Sequence, residues 1–541
     1  MAEAGHYPLV RAVREAAERK PAVFHTPGHK RGRWRSDDAV LPAAGLLWSW
    51  DGGDAVWSPV HRHRLAELIE EAGRLAARVW GAERTWLLWN GATAGVLAMV
   101  AAAVGPGAEL VLPREVHRSA IDALVLSGGR PVFVPPRWLE GWELPLPPLA
   151  RDVAAALADR EGSRARPGPA VLAVNPTYYG VCPNLAEMVR VARPRPVLVD
   201  EAHGAHLPFY PGRALPHGLA SGARLVVHSA HKTLAALTQA ALLHLGQTEN
   251  GDPAEPPASR VGMFLGMLQS TSPQPALLVS LDALRGQLER NGEQAVAAAV
   301  EAARQARAGI MAAGPFRCLG PGDLPAPWAL DETRLVVDVT GAGLTGLQAF
   351  RFLVEEANVW PEMADFRRVV FIFTAADADA AAANAHTAAA EAAAAAGADA
   401  AGACGVAADT EAAVASSPVR RLVSAFAALW QAAREGRVGA RRPGRMVLPE
   451  RLPPPGPQVL TPREAVLGRV RRVAWSEACG EVSADLVTPY PPGTPLLVPG
   501  ERIGAEVVEW ARQARACGWE LRGIGGSGEA GVYVVDAPAQ P

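Results

Sequence analysis

A chain of 541 residues is too long for one small core, and two or three domains are expected. Apolar residues make up 49% and charged residues 20%, an ordinary globular balance. A formal net charge of −2 gives no bulk electrostatic reason to expect nucleic acid or an anionic membrane as a partner.

The five cysteines (Cys182, Cys318, Cys404, Cys479, Cys517) are scattered without a CxxC pair. This argues against a disulfide framework or a zinc site and fits a reducing cytoplasm. The opening "MAEAGHYPLVRAVREAAERK" alternates charge with apolar residues at helical spacing and has no signal-peptide core. No apolar run reaches membrane-spanning length. The sequence therefore predicts a soluble, cytoplasmic protein.

Residues 1–60 read as an N-terminal arm, with "HTPGHKRG" (25–32) around a Pro-Gly turn and a Trp-rich stretch (34–57) suited to an interface. Residues 62–80 have the apolar period of an amphipathic helix. A theme of short strand, turn and helix follows. "TWLLW" precedes "NGATAGVLAMVAAAV", and "AELVLP" precedes "REVHRSAIDALVLSG". Then come "PVFVPP", "ARDVAAALADRE", "AVLAVN", "AEMVRVAR", "PVLVD" and "ARLVVH". Alternating βα units with β-branched strands predict a mostly parallel sheet covered on both faces, here a large domain over 61–285. Residues 286–440 read as a smaller α/β region, with strands "TRLVVDVTG" and "RRVVFIFTAAD" and an alanine-rich insertion at 376–417. That insertion has high helix propensity but little bulky apolar surface to bury. A Pro-rich linker (441–458) leads to a last α/β module, 459–541.

In parallel sheets ligands bind at the carboxyl ends of strands, and four such ends carry polar chemistry. "NGATAG" can present backbone N–H groups and Thr93 to a phosphate, although taken alone it also reads as an ordinary strand-to-helix turn. "REVHRS" places His117 at a second end. "VLVDEAHGAH" places Asp200 directly after a strand, with His203 three residues on. "HSAHK" places Lys232 at a fourth, 232 − 200 = 32 residues after that aspartate. A lysine at the end of a buried strand needs a partner. Pyridoxal phosphate uses such a set: a lysine for an imine, a phosphate cradle, a carboxylate for the pyridine nitrogen and flat contacts for the ring. His203 and His206 beside Asp200 fit a cofactor shell better than a metal site.

With these strings the chain resembles the fold-type-I pyridoxal-phosphate enzymes, and within them the bacterial Orn/Lys/Arg decarboxylase family. The resemblance also takes in "NPTYYG" (175–180), "STSP" (270–273) and "TPYPPGTPLLVPGE" (488–501). It implies that Lys232 bonds the cofactor, Asp200 pairs with its ring nitrogen, and His117 and Ala202 face the two sides of the ring. Ala92, Thr93, Ala94 and Ser229 would hold the phosphate, with His203 in the same shell. His231 would lie near the substrate carboxylate and take part in proton transfer. The family completes the phosphate site across a homodimer, so Ser270, Thr271 or Ser272 would serve the neighbouring subunit. The implied reaction is decarboxylation of a basic amino acid (arginine, lysine or ornithine) in polyamine metabolism. A carboxylate for its distal group could be Asp51, Asp54, Glu481 or Asp485. Departures are Ala92 and Ala230 where hydroxyls are common, "STSPQP" without an aromatic, and the alanine-rich insertion. An aminotransferase or β-lyase on the same fold, or a non-catalytic cofactor-binding regulator, are the alternatives.

Overall fold

The computed structural model describes residues 6–18, 63–159, 170–247, 256–378, 417–438, 451–490, 493–523 and 531–536. The "HTPGHKRG" and Trp-rich stretches, Asp51, Asp54 and most of the alanine-rich insertion (379–416) lie outside these residues. Helices α1 (Pro8–Glu18) and α2 (His63–Trp80) precede an alternating series. It runs β1 (Arg84–Leu88), α3 (Gly91–Ala103), β2 (Glu109–Pro113), α4 (Arg118–Ser127), β3 (Arg130–Val134) and α5 (Ala150–Ala158). It continues with β4 (Ala170–Val174), α6 (Leu185–Ala192), β5 (Val197–Asp200), β6 (Leu225–His228) and β7 (Ala241–Leu245).

These strands form one seven-stranded sheet in the order β1-β7-β6-β5-β4-β2-β3. The run from β6 to β3 is parallel, whereas β7 pairs antiparallel with both β6 and β1. The reversal has a simple cause. Residues 229–240 contain only one helical turn, Ala230–Thr233, too short to carry the chain back across the sheet. Period-two alternation then sorts the strand side chains. Leu110, Leu112 and Leu198 pack on Val96, Met99, Ile121 and Leu124 of α3 and α4. Val111, Val171 and Val199 pack on Val153, Leu157 and Met188 of α5 and α6 on the other face. Each such fully buried side chain contributes about 1.5–3 kcal/mol. The sheet is thus covered on both sides.

Beyond it, α7 (Ala258–Leu268) is followed by the 39-residue α8 (Pro275–Ala313). The expected border at 285/286 falls inside α8, whose backbone leaves helical geometry at Asn291. The smaller region holds β8 (Arg317–Cys318), β9 (Arg334–Asp338), α9 (Gly346–Glu355), β10 (Met363–Ala364), β11 (Arg368–Ile372) and α10 (Pro418–Arg434). Its antiparallel sheet has the order β8-β9-β11-β10. The last module contains α11 (Pro462–Leu467), β12 (Val470–Val473), β13 (Thr488–Tyr490), α12 (Ala505–Ala516), β14 (Glu520–Arg522) and β15 (Val532–Val535) around Trp475, Trp510 and Leu521. Among the described residues no helix is long and apolar enough to cross a membrane.

Arg114, buried at the end of β2, ties this last module to the large domain. Its guanidinium donates to both Glu501 carboxylate oxygens (2.5 and 2.9 Å) and to the Pro495 and Leu496 carbonyls. A forked, fully hydrogen-bonded pair of this kind fixes orientation as well as position. It seats residues 495–501 beside the strand ends.

Candidate active site

A cavity of about 690 Å³ opens at the carboxyl ends of the parallel strands. Ala92, Thr93, His117, Asp200, Ala202, His203, Ser229, His231 and Lys232 all line it. Nine of the expected site residues therefore converge from four strand ends. Ala94 does not line it: it is buried within α3. Thr271 and Ser272 are exposed and outside its wall.

The turn from β1 into α3 is set by Gly91, whose φ of +78° is the left-handed region that favours glycine. Gly95 brings the helix against the sheet, since a Cβ there would lie 2.6 Å from Val227 and 2.8 Å from Leu88. The cap residue Asn90 makes no side-chain hydrogen bond to the helix. It accepts instead from the Ser270 N–H at 3.2 Å. The first-turn N–H groups of α3 are left without a side-chain cap, at the positive end of a helix, beside Ser229 on the same cavity. Trp89 donates its indole N–H to the Ser270 carbonyl at 2.9 Å, which holds the 270–272 loop next to this turn.

Asp200 is 6% exposed and accepts from the Ala202 N–H at 3.2 Å. Lys232 stands on the single turn after β6, its Nζ 3.1 Å from His203 Nε2. Burial lowers the pKa of the amine, against the opposing charge of Asp200. His117 caps α4 and accepts from the Ser119 N–H, and burial lowers its pKa too. His231 Nδ1 lies 3.2 Å from both the Gln239 backbone nitrogen and Ser229 Oγ, and 3.4 Å from the Ala240 carbonyl oxygen. Burial likewise lowers the His231 pKa.

Three parts of the wall had no site role assigned from the sequence. Tyr178 tilts against the His203 ring, with centroids 4.7 Å apart, and donates to Glu362 at 2.6 Å. Glu362 itself lines the cavity, and Pro489, Tyr490, Gly493 and Thr494 close it from the last module. The string "NPTYYG" pointed at Tyr178, but nothing local marks Glu362. Two expected carboxylates are corrected. Glu481 pairs with Arg471 at 2.8 Å and is not on the cavity wall, and Asp485 is fully buried within the last module. Among the described residues no cluster suited to a metal ion occurs.

This donor set suits pyridoxal phosphate. It provides a free amine, a buried carboxylate, an open helix N-terminus with a hydroxyl, and flat or small side chains between them. Residues 7–324 match the model of the Orn/Lys/Arg decarboxylase major domain, and 455–525 match that family's C-terminal domain. The chain belongs to the Orn/Lys/Arg decarboxylase family. It is a pyridoxal-phosphate-dependent amino-acid decarboxylase of fold type I. Similar proteins include the arginine decarboxylase of Halalkalibacterium halodurans, 28% identical over 529 residues and 95% of each chain. That of Bacillus subtilis is 29% identical over 521 residues, again covering 95% of each. Among solved structures, the lysine decarboxylase LdcF of Francisella novicida superposes with a TM-score of 0.75 at 18% identity, over 98% of this chain and 81% of that one. The constitutive lysine decarboxylase of Escherichia coli gives 0.70 at 19% identity, over 98% and 82%.

Proposed function

We propose that this decarboxylase acts on a basic amino acid (arginine, lysine or ornithine), releasing CO₂ and an amine for polyamine metabolism in the cytoplasm. The observation that carries the reading is the convergence of Lys232, Asp200 and the open N-terminus of α3 on one cavity. Its full-length similarity to proteins named arginine decarboxylase favours the basic substrate class.

When bound, pyridoxal phosphate supplies an electron sink for the bond that loses CO₂. Lys232 would hold it covalently, and Asp200 would keep its ring nitrogen protonated. His117 and Ala202 would face its two sides. The first turn of α3 (Ala92 and Thr93, with Ala94 only through its backbone N–H) and Ser229 would hold its phosphate, and His203 would complete the shell beside Lys232. His231 and Lys232 are the groups available to carry a proton to the substrate Cα, within reach of the same cavity.

A cationic distal group needs a carboxylate on the wall. Glu143 is paired with Arg451 at 3.1 Å, and Asp365 with Arg368 at 2.5 Å. Burial raises the Glu115 pKa to about 7, which disfavours its charged form. Among the described residues Glu362 has a neutral phenol as its side-chain hydrogen-bond partner, so we assign it this role. Glu362→Gln should raise KM about tenfold while leaving cofactor absorbance unchanged, as expected for loss of one charge-assisted contact. We also propose a homodimer in which Thr271 and Ser272, held beside α3 but outside their own cavity, serve the neighbouring subunit. Mixing inactive Lys232→Ala protein with an inactive Ser272→Ala variant should then restore activity through hybrid dimers. Full activity in a monomer contradicts this.

The deciding assay incubates the purified protein with arginine, lysine and ornithine separately and measures CO₂ and amine. Stoichiometric CO₂ and amine from one of them is expected. A keto acid without CO₂ points to an aminotransferase and overturns the proposal.

A further inference from the structure

Arg334, the first residue of β9, is 1% exposed, and its side chain makes an unusual choice of partner. A buried guanidinium ordinarily sits on a carboxylate. The nearby carboxylate of Asp331 is instead 3.0 Å from His206 and accepts from Thr333. Arg334 Nη2 donates to His203 Nδ1 at 3.0 Å and to the His203 carbonyl at 3.2 Å. Its Nε and Nη1 have no hydrogen-bond partner among the described residues. All the side-chain hydrogen bonding of this buried cation is thus directed at one histidine.

The consequence follows from donor and acceptor inventory. A guanidinium has only donors, so His203 Nδ1 must present a lone pair, and the neutral ring carries its one proton on Nε2. That N–H faces Lys232 Nζ at 3.1 Å. It forms a hydrogen bond only if Nζ also presents a lone pair, which an ammonium lacks. The other tautomer would set Nδ1–H against the guanidinium. We propose that Arg334 is a positioning residue that locks His203 in its Nε2–H tautomer, so that His203 holds Lys232 as a free amine whenever the lysine is not bonded to cofactor.

Other charges face the pair from every side. Asp200 and Glu362 favour the ammonium, while His117, His206 and Tyr178 surround His203. Burial, with the Arg334 charge adding to it, pushes the His203 pKa well below its ordinary value, which keeps the ring neutral. Burial also lowers that of Lys232. The inference rests on Lys232 being the reacting amine, but not on which amino acid is decarboxylated.

Lysine occurs only at positions 20, 30 and 232, so trace acetylation of the full-length chain, stripped of cofactor, reads Lys232 cleanly by peptide mass. Against an N-acetyl-lysine standard, Lys232 should react at neutral pH at least about tenfold faster than an ordinary lysine, because a larger fraction of it is unprotonated. Arg334→Met and Arg334→Gln both remove the charge, but only the amide retains an N–H for Nδ1. Arg334→Gln should therefore keep Lys232 about tenfold more reactive than Arg334→Met does. In a His203→Phe background that difference should vanish. Equal reactivity of the two variants, or a difference that survives without His203, overturns the lock. Nitrogen-15 NMR of the unsubstituted protein, with His203 assigned by its loss in His203→Phe, gives a reading that needs no Arg334 variant. A proton on Nε2 is expected, and a proton on Nδ1 contradicts the proposal.

Discussion

Asp200 and Glu201 are neighbours in sequence, as are His228 and Ser229, yet the two rows they belong to have opposite characters. Facing the cavity, Asp200, Ser229 and Lys232 retain open hydrogen-bonding positions. Behind it, Glu201 accepts from Asn175 (2.5 Å), from the Gly218 N–H (2.9 Å) and from His228 Nε2 (2.8 Å). His228 Nδ1 lies 3.0 Å from His244 Nε2, whose Nδ1 lies 2.8 Å from Thr85 Oγ1. With both rings neutral and the threonine donating, each of these contacts has one donor and one acceptor. Burial holds the His244 pKa well below its ordinary value, in keeping with that neutral chain. The same residue types therefore serve structure in one row and chemistry in the other, and satisfaction of their hydrogen bonds distinguishes them.

Substitutions in the two rows should separate activity from stability. Asp200→Asn should lower turnover about a hundredfold or more, with the fold and cofactor absorbance retained, because the amide cannot stabilise charge on the ring nitrogen. Asp200→Glu should retain more activity than the amide. Glu201→Ala should instead cost about 3 kcal/mol of stability by urea unfolding, since it leaves buried donors without their acceptor. Unchanged turnover in the first variant, or unchanged stability in the second, would erase the distinction.

Glu115 sharpens it from the other side, as a cavity-wall carboxyl whose Oε2 has no hydrogen-bond partner among the described residues. Burial raises its pKa to about 7, above the value of about 4.3 expected in the unfolded chain. The native state therefore binds this proton more tightly, so the stability it contributes is present below about pH 4.3, is lost as pH rises from there to about 7, and does not change further above that. Glu115→Gln should stabilise the protein by about 2 kcal/mol at pH 8 and have little effect below about pH 4. Equal effects at both pH values would contradict a buried, protonated carboxyl. The smallest effect is expected from deleting 379–416 and joining Ala378 to Ser417 through a short Gly-Ser linker. That sequence offers mostly methyl groups to bury, so near-parental turnover is predicted. Loss of turnover in a folded, cofactor-loaded deletion would make it part of the site.

The parts of this arrangement legible in the sequence were those with local signatures. β-branched runs marked the parallel strands, and polar residues at or within four positions of their ends marked Asp200, His117 and Lys232. Strand alternation alone did not reveal that Glu201 and His228 pair, because that requires knowing that β5 and β6 are adjacent. Arg334 and Glu362 escaped notice for a similar reason. They come from the smaller region, more than a hundred positions after Lys232, and only the packing of that region brings them to the large sheet. Glu481 and Asp485 were plausible as carboxylates of a separate module, but the Arg114–Glu501 pair seats that module so that Pro489, Tyr490, Gly493 and Thr494 meet the cavity instead.

The most direct test of the central assignment is borohydride reduction of the cofactor-loaded protein, followed by peptide mapping. With only three lysines in the sequence, the outcome is unambiguous. The account predicts the reduced cofactor on the peptide containing Lys232. Labelling at Lys20 or Lys30 would contradict it.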